Sequence, residues 1–325
     1  MEFKEAAETI RRRVEERLAD QFRGRLPDVL YEPMRYPFGA GGKRLRPVLL
    51  ALSCMCFGGR EEQWIDAATA IEIFHTFTLV HDDIMDHDGL RRGLPAVHVK
   101  WDEPTAILSG DGLVILAYRC LLRARHPDLI EIQRIVTDGL LRLCEGQAMD
   151  KAFEKTGSVT FGAYLEMIDK KTAELIAVAC EVGAILGNAS GQGRTALREF
   201  GARLGRAFQV QDDLLDLISD ESVIGKPMCS DLYQKKKTVL TTHFLNEAPE
   251  KMIRTFRPIW EKPDPDQADV MRMRTLLEEA GSVGVAHRMI GNLLEEARAC
   301  LEILPDCESR NHLNDLIDRL RDRIS

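Results

Sequence analysis

Two aspartate clusters are the residues of this chain whose type and spacing can do chemistry. The first is Asp82-Asp83-Ile84-Met85-Asp86, and the second closes the run Gln209-Val210-Gln211-Asp212-Asp213-Leu214-Leu215-Asp216. In each, two adjacent aspartates are followed by a third, four residues after the first. On a helix this spacing makes the outer carboxylates neighbours, with β-carbons about 5–6 Å apart, near enough to share a cation. Oxygen-only sets suit hard cations, and Mg²⁺ is usually held by one or two carboxylates together with substrate phosphates. One such cluster reads equally well as a solvated acidic face. A second copy favours two facing helices that grip one diphosphate. The first cluster also sits at a helix C-terminus, where negative charge costs roughly 0.3–1 kcal/mol, so a strong opposite charge is expected to compensate it.

Basic residues stand near both clusters. Before the first comes Gly39-Ala40-Gly41-Gly42-Lys43-Arg44-Leu45-Arg46-Pro47. Its glycines leave backbone amides open to approach, and Lys43, Arg44 and Arg46 follow at once, so the loop can bind a diphosphate through a lysine and a bidentate arginine. A basic surface turn is the plainer reading of that loop alone. His75 precedes Asp82 by two helical turns and shares its face, so its imidazole can donate to a phosphate oxygen. Arg91 and Arg92 follow the cluster; an ion pair with Asp88 is one reading, and two guanidiniums facing two diphosphates is the other. Lys171 and Thr172 interrupt an apolar helix, where a lysine either snorkels to water or points into a phosphate-binding cavity. After the second cluster, Lys226 and Lys236 lie on a lysine-rich stretch that is either solvated or a lid.

The elements that must position these groups are helical. Apolar residues recur with helical periodicity over 3 to 22, 46 to 58, 62 to 88, 104 to 124, 128 to 153, 160 to 187, 194 to 219, 238 to 246, 251 to 260, 267 to 280, 282 to 303 and 309 to 323. Short glycine and proline breaks between long helices imply antiparallel neighbours. The expected fold is all-α, one domain over 1–325, with 263–325 as a smaller helical extension. A net charge of -8 with scattered basic residues argues against a nucleic-acid partner. The eight cysteines, mostly single and within apolar patterns, read as buried reduced thiols of a cytoplasmic protein. No apolar run is long enough for stable membrane insertion.

With these residues in view, the chain resembles the trans-isoprenyl diphosphate synthases, the family of farnesyl and geranylgeranyl diphosphate synthases. The ordered motifs run from Gly39 to Thr238: GGKRLRP, His75, DDIMD, RRG, GD, GQ, KT, FQVQDDLLD, GKP and a Lys-x-Thr. The resemblance implies an antiparallel helical bundle around a deep central cavity, usually a homodimer, working with three Mg²⁺ ions. It implies condensation of isopentenyl diphosphate head to tail with an allylic diphosphate (dimethylallyl, geranyl or farnesyl) by metal-assisted ionisation. Asp82, Asp86, Asp212 and Asp216 would hold the metals. Arg91, Lys171, Thr172, Gln209, Lys226 and Lys236 would bind the allylic diphosphate, and Lys43, Arg46, His75 and Arg92 the isopentenyl diphosphate. Lys235 stands where the family usually has glycine.

Chain length in that family is set where the growing tail strikes bulk, four and five residues before the first aspartate. At 100° per residue, Thr78 lies about 40° and Phe77 about 140° from Asp82, and Phe74 sits one turn deeper than Thr78. One aromatic at the farther position, with no insertion in DDIMD, resembles geranylgeranyl synthases; a farnesyl or longer product is the alternative. A terpene cyclase would have no use for the GGKRLRP loop, and the regulatory subunit of a heteromeric synthase commonly loses acidic residues that are intact here.

Overall fold

The computed structural model describes residues 2–218 and 228–322. Apart from a two-residue hairpin, Leu90–Arg91 with Leu94–Pro95, the described elements are helices. The chain divides into two compact units. One comprises Met1–Thr137, Val178–Arg198 and Ile303–Leu316, the other Asp138–Ala177, Glu199–Glu302 and Ile317–Ser325.

In the first unit, the helix Glu61–Met85 is the central element: Phe3–Phe22, Leu45–Met55 and Glu103–Leu121 all pack against it. Every residue from Asp66 to Phe74 is buried, so burial wraps the whole circumference of its middle turns. Such a helix belongs in a core. Asp102 starts the neighbouring helix by accepting a hydrogen bond from the Thr105 amide at 2.7 Å, which satisfies one of the orphan donors of a helix start. Asp28–Gly39 is helical although the sequence reading leaves it unassigned. Pro33 and Pro37 lie inside it, and an interior proline costs roughly 3 kcal/mol. Burial of Pro33, Met34 and Phe38 offsets that cost.

In the second unit, Val239–Glu247 packs on Phe161–Ile168 and on Ser282–Leu301. Its core includes Phe244, Phe256 and Trp260, with successive ring centroids at 4.7 and 5.5 Å. Thr238 and Thr241 form a reciprocal cap at the start of Val239–Glu247, as do Asp266 and Asp269 for Gln267–Glu279.

Two expected helices need correcting. The expected helix over 62 to 88 stops at Met85, because His87 turns left-handed with φ 54°. The expected single helix over 160 to 187 is Phe161–Ile168 and Glu174–Leu186 joined by a π turn at Asp169–Ala173. Gly146 packs against the backbone at Lys170 and Lys171, with no room for a β-carbon. None of the eight cysteines forms a disulfide; five are buried, whereas Cys144 is exposed and Cys300 and Cys307 are half-buried.

Candidate active site

In the first unit, three arginines and a histidine gather around one carboxylate. Glu72 lies on the central helix one turn before His75 and has only 2% of its side chain exposed. Arg44 donates to it at 2.8 Å. Burial pushes the Arg46 pKa down to about 10, with Glu72 opposing and the neighbouring Arg92 charge reinforcing that shift. Burial, followed by the charges of Arg46, Arg92, Arg44 and Arg91, holds the His75 imidazole well below its ordinary pKa. His75 is therefore neutral near pH 7, and a neutral imidazole keeps one N–H donor. Arg92 donates to the carbonyl of Gly41, and its guanidinium fills the space where a side chain at Gly42 would stand, Nη1 lying 2.5 Å from that β-carbon position. Gly42 at φ 142° is required by its backbone conformation, and a β-carbon there would push the Arg92 guanidinium aside. Lys43 is exposed on the same loop. Arg46, His75 and Arg92 are thus brought together beside Glu72.

The helix then delivers the first acidic cluster. Asp82 is in its last turn and Asp86 is the C-cap, whose amide donates to the Asp82 carbonyl at 2.8 Å. The four-residue relation of the outer aspartates survives the helix end. The middle aspartate does something else: Asp83 is buried and accepts from Arg91 Nε at 2.7 Å, while Arg91 Nη2 also reaches Asp88 at 3.2 Å. Burial works against the Arg91 charge, but Asp83 and Asp88 outweigh it and its pKa is raised. Arg91 and Arg92, adjacent in sequence, therefore serve opposite sides: one braces the aspartates, the other the glycine loop. Arg92 reaches this position with φ 52°, a left-handed conformation that costs a residue other than glycine roughly 1–2 kcal/mol.

Of the candidate chain-length residues, Phe74 is fully buried, packed edge-on against Tyr118 at 5.0 Å and near Phe77 at 6.5 Å. Phe77 in turn meets the ring of His81. The Thr78 hydroxyl donates back to the His75 carbonyl at 2.8 Å.

The second unit carries the other cluster on Gly191–Ile218. Asp212 is exposed. Asp216 is buried; its carboxylate accepts from Ser230 Oγ at 2.6 Å and from the Asp231 amide at 3.0 Å. Asp213, the middle aspartate again, is buried and accepts from Tyr164 Oη at 2.5 Å, the Val239 amide at 2.9 Å and Gln209 Nε2 at 2.9 Å. Gln209 accepts from Thr172 Oγ1 at 2.9 Å, so Thr172 and Gln209 are joined. Lys171 is ion-paired with Asp150, and Lys236 lies 3.7 Å from Asp231. Lys235 adopts φ 53°, the conformation for which glycine is favoured. Lys226 lies outside the described residues.

The residues that sequence reasoning missed are the supporting ones: Glu72, Arg44, Asp83, Tyr164, Asp213 and Asp231. A signal existed for two of them, since Asp83 and Asp213 lie about 100° around the helix from the first aspartate of each cluster, whereas the third lies about 40° from it.

A model of the family described as polyprenyl synthetase matches residues 27–277. The chain belongs to the polyprenyl synthetase family. A short-chain isoprenyl diphosphate synthase of Methanothermobacter thermautotrophicus is 39% identical over 310 residues, covering 95% of each chain. A geranylgeranyl diphosphate synthase of Methanosarcina mazei is 38% identical over 299 residues, covering 91% of this chain and 90% of its own. The crystal structure of the geranylgeranyl pyrophosphate synthetase from Pyrococcus horikoshii superimposes with a TM-score of 0.94 at 37% identity, covering 99% of both chains. The all-α fold of this polyprenyl synthetase is the fold of that solved relative.

The four outer aspartates offer oxygen donors only, which fits Mg²⁺ rather than a softer ion. Among the described residues, no group of three or more His, Cys, Asp or Glu gathers closely enough to hold a metal by protein ligands alone. Asp216 retains capacity despite its two bonds, because an ionised carboxylate offers about four lone-pair sites.

Proposed function

We propose that this polyprenyl synthetase condenses isopentenyl diphosphate head to tail with an allylic diphosphate, extending it to geranylgeranyl diphosphate. The observation that carries the reading is the placement on one helix of a cationic cluster at His75 and an acidic pair at Asp82 and Asp86. The first suits a bare diphosphate, the second a metal-bound one. The names of the relatives from Methanosarcina mazei and Pyrococcus horikoshii support the chain length.

Arg46, Arg92 and neutral His75, with Lys43 from the loop, hold isopentenyl diphosphate by charge-assisted and neutral hydrogen bonds. Asp82, Asp86, Asp212 and Asp216 are the residues that would hold Mg²⁺, which when bound supplies positive charge to the allylic diphosphate as its carbon–oxygen bond ionises. Lys171, Thr172, Gln209, Lys236 and Lys226 add donors for that leaving group, and Arg91 braces the first cluster beside it. Charge developing on the leaving group is where fixed donors lower a barrier most. The isopentenyl double bond then attacks the allylic carbon, one carbon–carbon bond forms, and the proton lost passes to the departed diphosphate. No nucleophilic side chain is needed, and the apolar Phe74 and Phe77 suit a site that must exclude water from a carbocation.

The protein is further proposed to work as a homodimer in the cytoplasm. Ile107, Leu108 and Ile115 on Glu103–Leu121, with Leu122 and Ile130 beyond it, are exposed, Ile115 by 71% and Ile130 by 82%. Apolar side chains at that density suit cover by a second copy. Eight cysteines that form no disulfide suit a reducing compartment. Among the described residues, no helix is long and apolar enough to cross a membrane.

The deciding assay incubates the protein with isopentenyl diphosphate, Mg²⁺ and dimethylallyl, geranyl or farnesyl diphosphate in turn, and separates the dephosphorylated products by chromatography. Geranylgeraniol is expected as the main product. Failure to condense with any primer overturns the reading, and a mass near 36.7 kDa by light scattering would refute the dimer.

A further inference from the structure

We infer that Arg44 and Glu72 form a positioning pair that sets residues 39–46 in register with His75, so that isopentenyl diphosphate affinity depends on two residues that do not touch it. The inference rests on the reading of Lys43, Arg46, His75 and Arg92 as the isopentenyl diphosphate site.

Arg44 stands in a run of basic residues and would pass for one more phosphate-binding cation. Its side chain goes the other way. The guanidinium has 2% exposure; Nη1 donates to Glu72 Oε1 at 2.8 Å, Nη2 to the Phe38 carbonyl at 3.0 Å, and Nε lies 3.6 Å from Glu15 Oε1. One side chain thus ties together Phe3–Phe22, the last turn of Asp28–Gly39 and the central helix Glu61–Met85. The reversal is made in the backbone. Arg44 is the N-cap of Leu45–Met55 with φ 47° and ψ 40°, a left-handed conformation that residues with a β-carbon rarely hold unless their surroundings impose it. Lys43 is consequently exposed while Arg44 is buried.

Glu72 lies three residues before His75, on the same helical face. A loop anchored to Glu72 is therefore anchored at a fixed height relative to His75. Glu72 is also the carboxylate that offsets the crowded charges of Arg46 and Arg92. Without it, two guanidiniums and the Arg44 charge would repel one another across the site they must share. Both roles act on ligand position rather than on bond making, so their loss should appear in one Michaelis constant and not the other.

The test compares steady-state kinetics of the full-length enzyme and three variants, varying isopentenyl and farnesyl diphosphate separately. The pair variant Arg44→Met/Glu72→Met removes both charges at once. Replacing a buried ion pair with apolar residues of similar volume is often neutral for stability or better. It is expected to stay folded by circular dichroism at the assay temperature while KM for isopentenyl diphosphate rises tenfold or more and KM for farnesyl diphosphate stays within twofold. Glu72→Gln, which preserves shape and one hydrogen bond, should move the same constant in the same direction by less. If both constants move together, if only kcat falls, or if neither constant changes in either variant, the positioning role is wrong. Lys43→Ala separates this outcome from failure of the underlying site: an unchanged KM for isopentenyl diphosphate in that variant would refute the site itself. A raised KM in Lys43→Ala with unchanged values for Glu72→Gln and the pair variant would refute only the pair.

Discussion

The Tyr164 hydroxyl donates to the carboxylate of Asp213 at 2.5 Å, with both side chains buried. Asp213 is flanked by Asp212 and Asp216 in a motif whose aspartates look alike in sequence, yet its oxygens are taken by Tyr164, Val239 and Gln209. Asp83 repeats the arrangement in the first cluster, spent on Arg91. In each cluster, then, the middle aspartate holds neighbouring elements in place, and the proposed metal chemistry falls to the outer ones.

That division predicts opposite phenotypes within one motif. Asp82→Ala should lower kcat by orders of magnitude while leaving the thermal midpoint nearly unchanged. Tyr164→Phe should do the reverse in kind, costing about 1–3 kcal/mol of stability because a buried carboxylate loses a donor. Thermal melts alongside turnover would refute the division if Asp82→Ala retained wild-type rates or Tyr164→Phe left the melt unmoved.

His75 predicts a pH dependence of stability. Burial and the surrounding arginines depress its folded pKa, whereas in the unfolded chain it titrates near its ordinary value of about 6.5. Above that value both states are neutral and the term is constant. Below it the unfolded chain takes up a proton that the folded protein refuses, so stability falls by up to about 1.4 kcal/mol per pH unit. His75→Gln should flatten this slope between pH 6.5 and 5 in denaturant titrations; an unaltered slope would show that His75 is protonated in the folded protein.

Phe77→Ala should lengthen the products. Phe77 and Phe74 stand edge to face one and two turns before Asp82, and Phe74 is itself fixed by Tyr118. Removing the Phe77 ring opens space of the order of one isoprene unit. Chromatography of the prenyl alcohols from wild type and variant checks this, and an unchanged distribution would exclude Phe77 as the stop.

Lys235→Gly should be neutral to stabilising by up to about 1 kcal/mol. Left-handed strain at φ 53° is worth roughly 1–2 kcal/mol, and glycine's greater freedom in the unfolded chain returns about 0.4–1 kcal/mol of it. A marked loss of midpoint in urea would mean that the Lys235 contact with the Pro263 carbonyl, 3.4 Å away, outweighs the strain.

Much of this was legible in the sequence because helical periodicity and carboxylate spacing are local signals. The helix Phe3–Phe22 and the central helix follow from apolar recurrence alone. Asp28–Gly39 does not, because Pro33 and Pro37 argue against a helix and only tertiary burial overrules them. Arg44 could not be separated from Lys43 and Arg46, since its distinction is a backbone reversal and a partner 28 residues away. Tyr164 gave no sign of its role, because its partner lies 49 residues on. Nor could the π turn be read, since the sequence on either side is apolar enough to continue one helix.

That turn has a consequence for the rod it interrupts. A π turn accommodates one residue more than the α-helical turn it replaces, so Phe161–Ile168 and Glu174–Leu186 share an axis but not an angular phase. The polar run Asp169-Lys170-Lys171-Thr172 is carried through an apolar rod without rotating either buried stripe toward water. Deleting a single residue there would restore regular α-helical turns and rotate one half by about 100° against the neighbours it now packs on, a misgearing of the kind a worn tooth gives a clock.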